Sequence, residues 1–211
     1  YTNDLPMYYY PPVVKDILSE NEIIKNNIYS CPQTLFKIHP EFDEVLGKIL
    51  NKDKKGILYF IKDVNKTYYK KLLERFKKNK YLDLERIKFI DGLSWEGYIN
   101  HCGRSSVLLD PFYFGSGNSF YESMYYGTPT VTKPTKYMKS RLVLGAYKQM
   151  GLDNPPVVNT MEDYADLAVE LANDSKLLDI KKNYSKKAKE KLYENKSAIN
   201  DLEKIFIKLV S

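Results

Sequence analysis

Short apolar runs alternate along this chain with longer stretches in which apolar residues return every three or four positions, the pattern of buried strands separated by amphipathic helices. Asn27-Ile28-Tyr29-Ser30-Cys31 is the first such run and suits a buried strand. Beyond Pro40, residues Phe42, Val45, Leu46, Ile49 and Leu50 share one helical face. Gly56-Ile57-Leu58-Tyr59-Phe60-Ile61 reads as a second strand, Asn65 to Lys80 as a helix, and Arg86-Ile87-Lys88-Phe89-Ile90 as a third strand. Ser94 is a fair N-cap for a short helix in which Gly97 is a weak spot. Ser106-Val107-Leu108-Leu109 forms a fourth strand that ends at Asp110-Pro111. A glycine-containing turn, a helix over 118–126 and a fifth strand at Thr130-Val131-Thr132 follow. A helix over 138–150 stops at Gly151, and Val157-Val158 is a sixth short strand. Thr160, with Glu162 and Asp163 behind it, starts a helix to about Asn173. From Ser175 onward Leu177, Ile180, Tyr184, Ala188, Leu192, Leu202, Ile205, Phe206 and Leu209 predict helix to the end of the chain.

Buried strands joined by helical crossovers imply an α/β fold, a Rossmann-like doubly wound parallel sheet with helices on both faces. In such a sheet the ligand sits beyond the carboxyl ends of the strands. The expected division is a Rossmann-like sheet domain over 27–174, a C-terminal helical arm over 175–211 used for packing, and a lead-in over 1–26. Pro6, Pro11 and Pro12 make that lead-in irregular, and Tyr8-Tyr9-Tyr10 calls for apolar cover. The chain opens Tyr1-Thr2-Asn3 without an initiating Met, so the lead-in is expected to be a linker from a further N-terminal domain.

Composition narrows the classes. At 211 residues, 43% hydrophobic and 28% charged, the chain suits one sizeable domain of ordinary globular make-up. No stretch approaches the roughly 20 apolar residues of a membrane span, and the first residues lack a secretory signal. Two cysteines, Cys31 and Cys102, and two histidines, His39 and His101, match neither a disulfide framework nor a metal-ligand spacing, so a reduced, cytoplasmic setting is expected. The net charge of +6 raises nucleic acid as a partner. The lysines of 70–80 and 181–191, however, are interleaved with acids as on solvated helix faces, so no nucleic-acid partner is expected.

The candidate chemistry lies after the fourth strand, where Asp110-Pro111-Phe112-Tyr113-Phe114-Gly115-Ser116-Gly117-Asn118-Ser119 runs directly into a helix. Two glycines that let a backbone approach a phosphate, followed by a helix N-terminus, make an anion cradle. Asn118 and Ser119 add donors, and Glu122 lies one turn on, where a carboxylate accepts ribose hydroxyls. The same residues equally describe a tight strand-to-helix turn with a first-turn acid. Without a Gly-Lys-Ser/Thr sequence or a third glycine, the segment is neither a Walker A loop nor the dinucleotide fingerprint.

The stretch Gly115-Ser116-Gly117-Asn118-Ser119-Phe120-Tyr121-Glu122 through Gly127-Thr128-Pro129-Thr130-Val131-Thr132 resembles the donor-binding stretch of the O-linked N-acetylglucosamine transferase family, which includes bacterial members and the cytoplasmic adhesin N-glucosyltransferases. Upstream, Cys31-Pro32-Gln33-Thr34-Leu35-Phe36-Lys37-Ile38-His39-Pro40, and downstream, Lys139-Ser140-Arg141 and Gln149-Met150-Gly151-Leu152, extend the resemblance over roughly residues 27–185. It implies the C-terminal half of a GT-B glycosyltransferase whose donor is a UDP-sugar, with no separate cofactor and no metal. The sugar would pass with inversion to a protein Ser/Thr or Asn side chain presented by the N-terminal domain. The resemblance gives Lys37 the diphosphate contact, and Gln33 and Thr34 polar contacts to diphosphate or sugar. The uracil edge falls to the loop near Leu93, with Tyr98 against the base. Asn118 and Ser119 take the phosphates and Glu122 the ribose. Gly117 stands where animal members carry a histidine, and Glu122 replaces their aspartate. Two alternatives remain: a GT-B transferase acting on lipid or polysaccharide, which usually carries a second acid where this chain has Thr128-Pro129-Thr130, and a non-catalytic nucleotide-binding module.

Overall fold

The computed structural model describes residues 5–24 and 27–210; residues 1–4 and 25–26 of the lead-in and Ser211 of the arm lie outside the described residues. Apolar runs form parallel strands β1 (Ile28–Cys31), β2 (Ile57–Ile61), β3 (Ile87–Ile90), β4 (Val107–Leu109) and β5 (Thr130–Val131). They lie in the order β3-β2-β1-β4-β5, with Tyr29 beside both Leu58 and Val107. The chain winds outward from β1 to one edge, then crosses back to build the other. That reversal places the carboxyl ends of β1 and β4 side by side at the switch point, where an open sheet receives its ligand.

Helices cover both faces. Helices α2 (Phe42–Lys52), α3 (Thr67–Lys77) and α7 (Met161–Ala172) share the main core with Tyr29, Cys31, Leu58, Phe60, Val107 and Leu109. The intervening Ser30 points the other way, bonded to His101 of α4 (Trp95–Arg104). A second cluster joins α5 (Asn118–Ser123), α6 (Leu142–Met150) and α8 (Leu177–Lys191) through Phe120, Tyr121, Tyr147 and Tyr184. The predicted caps form, with Ser94 Oγ accepting from the Gly97 N–H and Thr160 Oγ1 from the Asp163 N–H. A Cβ on Gly97 would stand 3.1 Å from Ser94 Oγ, a tight but not forbidding approach, so the glycine expected to weaken α4 sits at the residue whose N–H the cap binds.

Three expectations need revision. Val157-Val158 is an isolated bridge to Thr132 rather than a strand, because Pro155 and Pro156 have no N–H to extend a ladder. The arm is two helices, α8 and α9 (Lys196–Val210), separated at Glu194, whose φ of 49° is left-handed. Leu192 and Tyr193 turn inward at that break, and the Tyr193 hydroxyl donates to the Tyr121 carbonyl. The lead-in carries a helix, α1 (Glu20–Ile24), and packs on the body through Val14 and Leu18, which are buried with Ile99 and Tyr126.

Gly127 and Gly151 share a left-handed φ of 66° but differ in surroundings. A Cβ on Gly127 would lie 2.0 Å from the Lys181 carbonyl oxygen and 2.5 Å from the Ser185 nitrogen, whereas one on Gly151 meets nothing within 4 Å. Gly151→Ala is therefore expected to cost about 1–2 kcal/mol, the left-handed strain alone. Gly127→Ala should cost more than about 3 kcal/mol, because α8 must also move. Urea midpoints of the two variants check this, and equal losses would show that α8 does not press on the turn.

Candidate functional site

Where β1 ends, Leu35 is buried and anchors a 3-10 turn, Leu35–Lys37, that brings Lys37 back over the end of the strand. Lys37 Nζ donates to Gln33 Oε1 at 2.9 Å and to the Gly115 carbonyl at 3.2 Å, and lies 4.5 Å from the centre of the Phe114 ring. Gln33, which is buried, donates through Nε2 to Ser119 Oγ at 2.7 Å. One amide thus ties the first crossover to the first turn of α5. Burial lowers the Lys37 pKa, while the charges of Asp110 and Cys31 oppose that shift. Its hydrogen-bond partners are neutral oxygens, so no contacting carboxylate cancels the ammonium among the described residues.

Asp110, read from the sequence only as the end of a strand, organises the turn. Its side chain is buried; Oδ1 accepts the Ser116 N–H at 2.6 Å and Oδ2 the Thr132 hydroxyl at 2.6 Å. Burial raises its pKa to about 6, opposed by those hydrogen bonds and by the charge of Lys37. A Cβ on Gly115 would stand 2.7 and 2.8 Å from the two carboxylate oxygens. The carboxylate therefore accounts for Gly115 without a phosphate. Gly117 is different, since a Cβ there meets only Leu142 at 3.6 Å and the backbone faces open space. Phe120 closes the first turn of α5 on the Gly117 carbonyl, leaving the N–H groups of Gly117, Asn118 and Ser119 ahead of the first helical bond. The sequence signal for Asp110 was an acid at the end of an apolar strand, paired with a threonine at the end of the next.

On the other flank Tyr98 of α4 reaches the Pro32 carbonyl with its hydroxyl at 3.4 Å. Burial raises its pKa well above the usual phenol value, with Cys102, Glu122 and Ser119 as neighbours. It packs partly into the small cluster under the lead-in. Glu122 faces the same side, and its Oε1 accepts both the Trp95 indole N–H at 3.1 Å and the Tyr9 hydroxyl at 3.0 Å. Neither Tyr9 nor Trp95 stood out as a site residue in the sequence, although Trp95 is the chain's single tryptophan.

The sequence-derived residues thus divide. Gln33 bonds both Lys37 and Ser119, and Tyr98 adjoins Ser119 and Glu122. Thr34 and Asn118 are exposed, and Thr34 makes no side-chain capping bond to the turn it starts. Leu93, 41% exposed, lies in the loop entering α4. Among the described residues no cluster of three or more His, Cys, Asp or Glu side chains has metal-binding proximity. A groove of about 910 Å3 runs instead along α2, past Lys48, Tyr81 and Arg86. In that groove Arg86 is committed to the Leu50 and Asp53 carbonyls and Lys48 to Glu44 and Glu162.

The chain as a whole is similar to known proteins. UDP-glucose:protein N-beta-glucosyltransferase of Actinobacillus pleuropneumoniae serotype 5b (strain L20) is 26% identical over 166 residues, covering 78% of this chain and 26% of that protein. The chain therefore spans about a quarter of the length of such curated relatives. Among solved structures, a mutant of the Thermobaculum terrenum O-GlcNAc transferase superposes with a TM-score of 0.75 at 19% identity, over 98% of this chain and 38% of the other. The C-terminal domain of a glycosyl transferase group 1 family protein from Francisella tularensis superposes with a TM-score of 0.60 at 20% identity, over 89% of this chain and 97% of that domain. These superpositions establish the fold, a Rossmann-like C-terminal domain of GT-B type. No described helix is long and apolar enough to cross a membrane. The profile of glycosyl transferase family 41 matches residues 17–202, and the chain belongs to that family.

Proposed function

We infer that the chain is the UDP-sugar-binding half of an inverting glycosyltransferase that transfers a hexose or N-acetylhexosamine to a protein Ser/Thr or Asn side chain. The observation that carries this reading is the bridge from Lys37 through Gln33 to Ser119. It holds a cation without a contacting carboxylate beside the first-turn N–H groups of α5, at the carboxyl ends of β1 and β4. In the transfer, the acceptor oxygen or nitrogen forms a bond to the anomeric carbon as the bond to the diphosphate oxygen breaks. The electron pair leaves with UDP, and Lys37 with the N–H groups of Gly117, Asn118 and Ser119 meets that developing charge. Gln33 holds the ammonium in place beforehand. Thr34 adds a hydroxyl at the mouth, the backbone near Leu93 takes the uracil edge with Tyr98 beneath, and Glu122 takes the ribose.

Membership of family 41 and the curated relatives' stated use of UDP-glucose on protein support the donor and the acceptor class. A general base and the acceptor-binding surface would come from an N-terminal GT-B domain, with the lead-in joining it to the 27–174 domain and the 175–211 arm packing beside it. Two buried, unpaired cysteines suit a reducing, cytoplasmic setting, which belongs to the same proposal.

Calorimetric titration of the 211-residue chain with UDP is expected to give millimolar or tighter binding, weakened about tenfold by Lys37→Ala. A folded chain that does not bind UDP at millimolar concentration contradicts the assignment. Glu122→Ala should weaken UDP more than uracil, and equal losses for the two would remove the ribose role.

A further inference from the structure

Glu122 is held by two donors from distant parts of the chain, and both reach the same oxygen. Tyr9 comes from the lead-in, 113 positions earlier, and Trp95 is the first residue of α4. A carboxylate oxygen has two acceptor sites, so Oε1 is filled. Oε2 accepts no hydrogen bond among the described residues and is left for an incoming donor.

Both donors are anchored. The Tyr9 ring packs against Tyr121 with centroids 5.1 Å apart, and its carbonyl accepts the Glu194 N–H at 2.9 Å. Burial and the charge of Glu122 raise the Tyr9 pKa, so the phenol keeps its proton and donates throughout the neutral range. Trp95 sits at the capped start of α4, and the next residue, Glu96, accepts the backbone N–H groups of Lys15 and Asp16. Further along, the Leu18 N–H donates to the Tyr126 hydroxyl, and Asn100 donates to the Asp16 carbonyl. Lead-in and α4 therefore close around the carboxylate as one unit. Leu5 completes the strap, its side chain lying where a Cβ on Gly145 of α6 would collide at 2.8 Å.

We propose that Tyr9 and Trp95 are positioning residues that fix the Glu122 carboxylate with Oε2 turned to a ribose hydroxyl, which makes the lead-in a working part of the donor site. This rests on the nucleotide-binding reading above and adds a specificity element to it. A glutamate restrained at one oxygen loses little further freedom when a sugar hydroxyl binds the other, so selectivity for a free ribose diol depends on the restraint. The ligand class it selects is a nucleoside diphosphate with unmodified 2′ and 3′ hydroxyls.

The test uses Tyr9→Phe and Trp95→Phe, which delete one donor each and keep an aromatic ring in place. Each variant and the parent chain are titrated with UDP and with 2′,3′-dideoxy-UDP, and thermal midpoints are recorded alongside. The parent chain is expected to prefer UDP. Each variant should bind UDP about three- to tenfold more weakly while its affinity for the dideoxy nucleotide stays within about twofold. In a Glu122→Ala background the same substitutions should have no further effect on UDP. Three results overturn the proposal: unchanged UDP affinity in both variants, equal losses for the two nucleotides as a purely structural role would give, or tighter UDP binding by Tyr9→Phe because the phenol occupies the place of the ribose. A parent chain that binds neither nucleotide removes the nucleotide-site reading itself, whereas one that binds both equally removes only the ribose selectivity.

Discussion

Where β4 leaves the sheet, the carboxylate of Asp110 is buried between the turn that follows it and the end of β5. Burying a carboxylate is expensive unless its oxygens are bonded, and here the Ser116 N–H and the Thr132 hydroxyl take one oxygen each. The Tyr164 hydroxyl meets the Asp110 and Val131 carbonyls from the opposite helix layer, so the ends of β4 and β5 are tied on two sides. Those ties fix the path of the backbone through Gly115 to Gly117. The Gly115 carbonyl then stands where the ammonium of Lys37 can reach it, and Ser119 stands where Gln33 can. Loss of the buried carboxylate would release the turn and the cation site together.

Around that point the molecule separates two kinds of polar group. Asp110, Ser30, Ser105 and Thr132 are buried and satisfied by one another or by backbone, and they hold elements in place. Lys37, Thr34, Asn118 and Glu122 keep capacity toward solvent at the strand ends. Lys181 belongs to the first kind despite its charge. Its ammonium donates to the Gly103 and Ser105 carbonyls, and burial lowers its pKa to about 7. It joins α8 to the end of α4, and the arm is thereby part of the body that carries the site.

The sheet was readable because its strands are short, mainly apolar runs and its crossovers keep a clean helical period, as in Phe42, Val45, Leu46 and Ile49 of α2. What failed to show depends on distant contacts. Glu194 breaks the arm because Leu192 and Tyr193 find partners far away in sequence, which no local period records. The lead-in read as irregular because its prolines exclude a long helix, and its docking through Val14, Leu18 and Tyr9 rests on single residues that no local period records. In the candidate site, Ser119 stood out as a donor in the glycine-containing turn, whereas Lys37 and Gln33 were found through resemblance to a known family, since nothing in their spacing brings positions 33, 37 and 119 together. Asp110 could have been noticed as an acid ending a buried strand. Tyr9 could not, because its partner is 113 positions away.

A crystal structure of the chain with UDP examines the cation site directly. The expected result has a phosphate oxygen bonded to Lys37 Nζ in place of Gln33 or Gly115, the other phosphate at the N–H groups of Gly117 to Ser119, and the ribose at Glu122 Oε2. Nucleotide bound in the groove along α2, or at the strand ends with Lys37 still bonded only to Gln33 and Gly115, would contradict it.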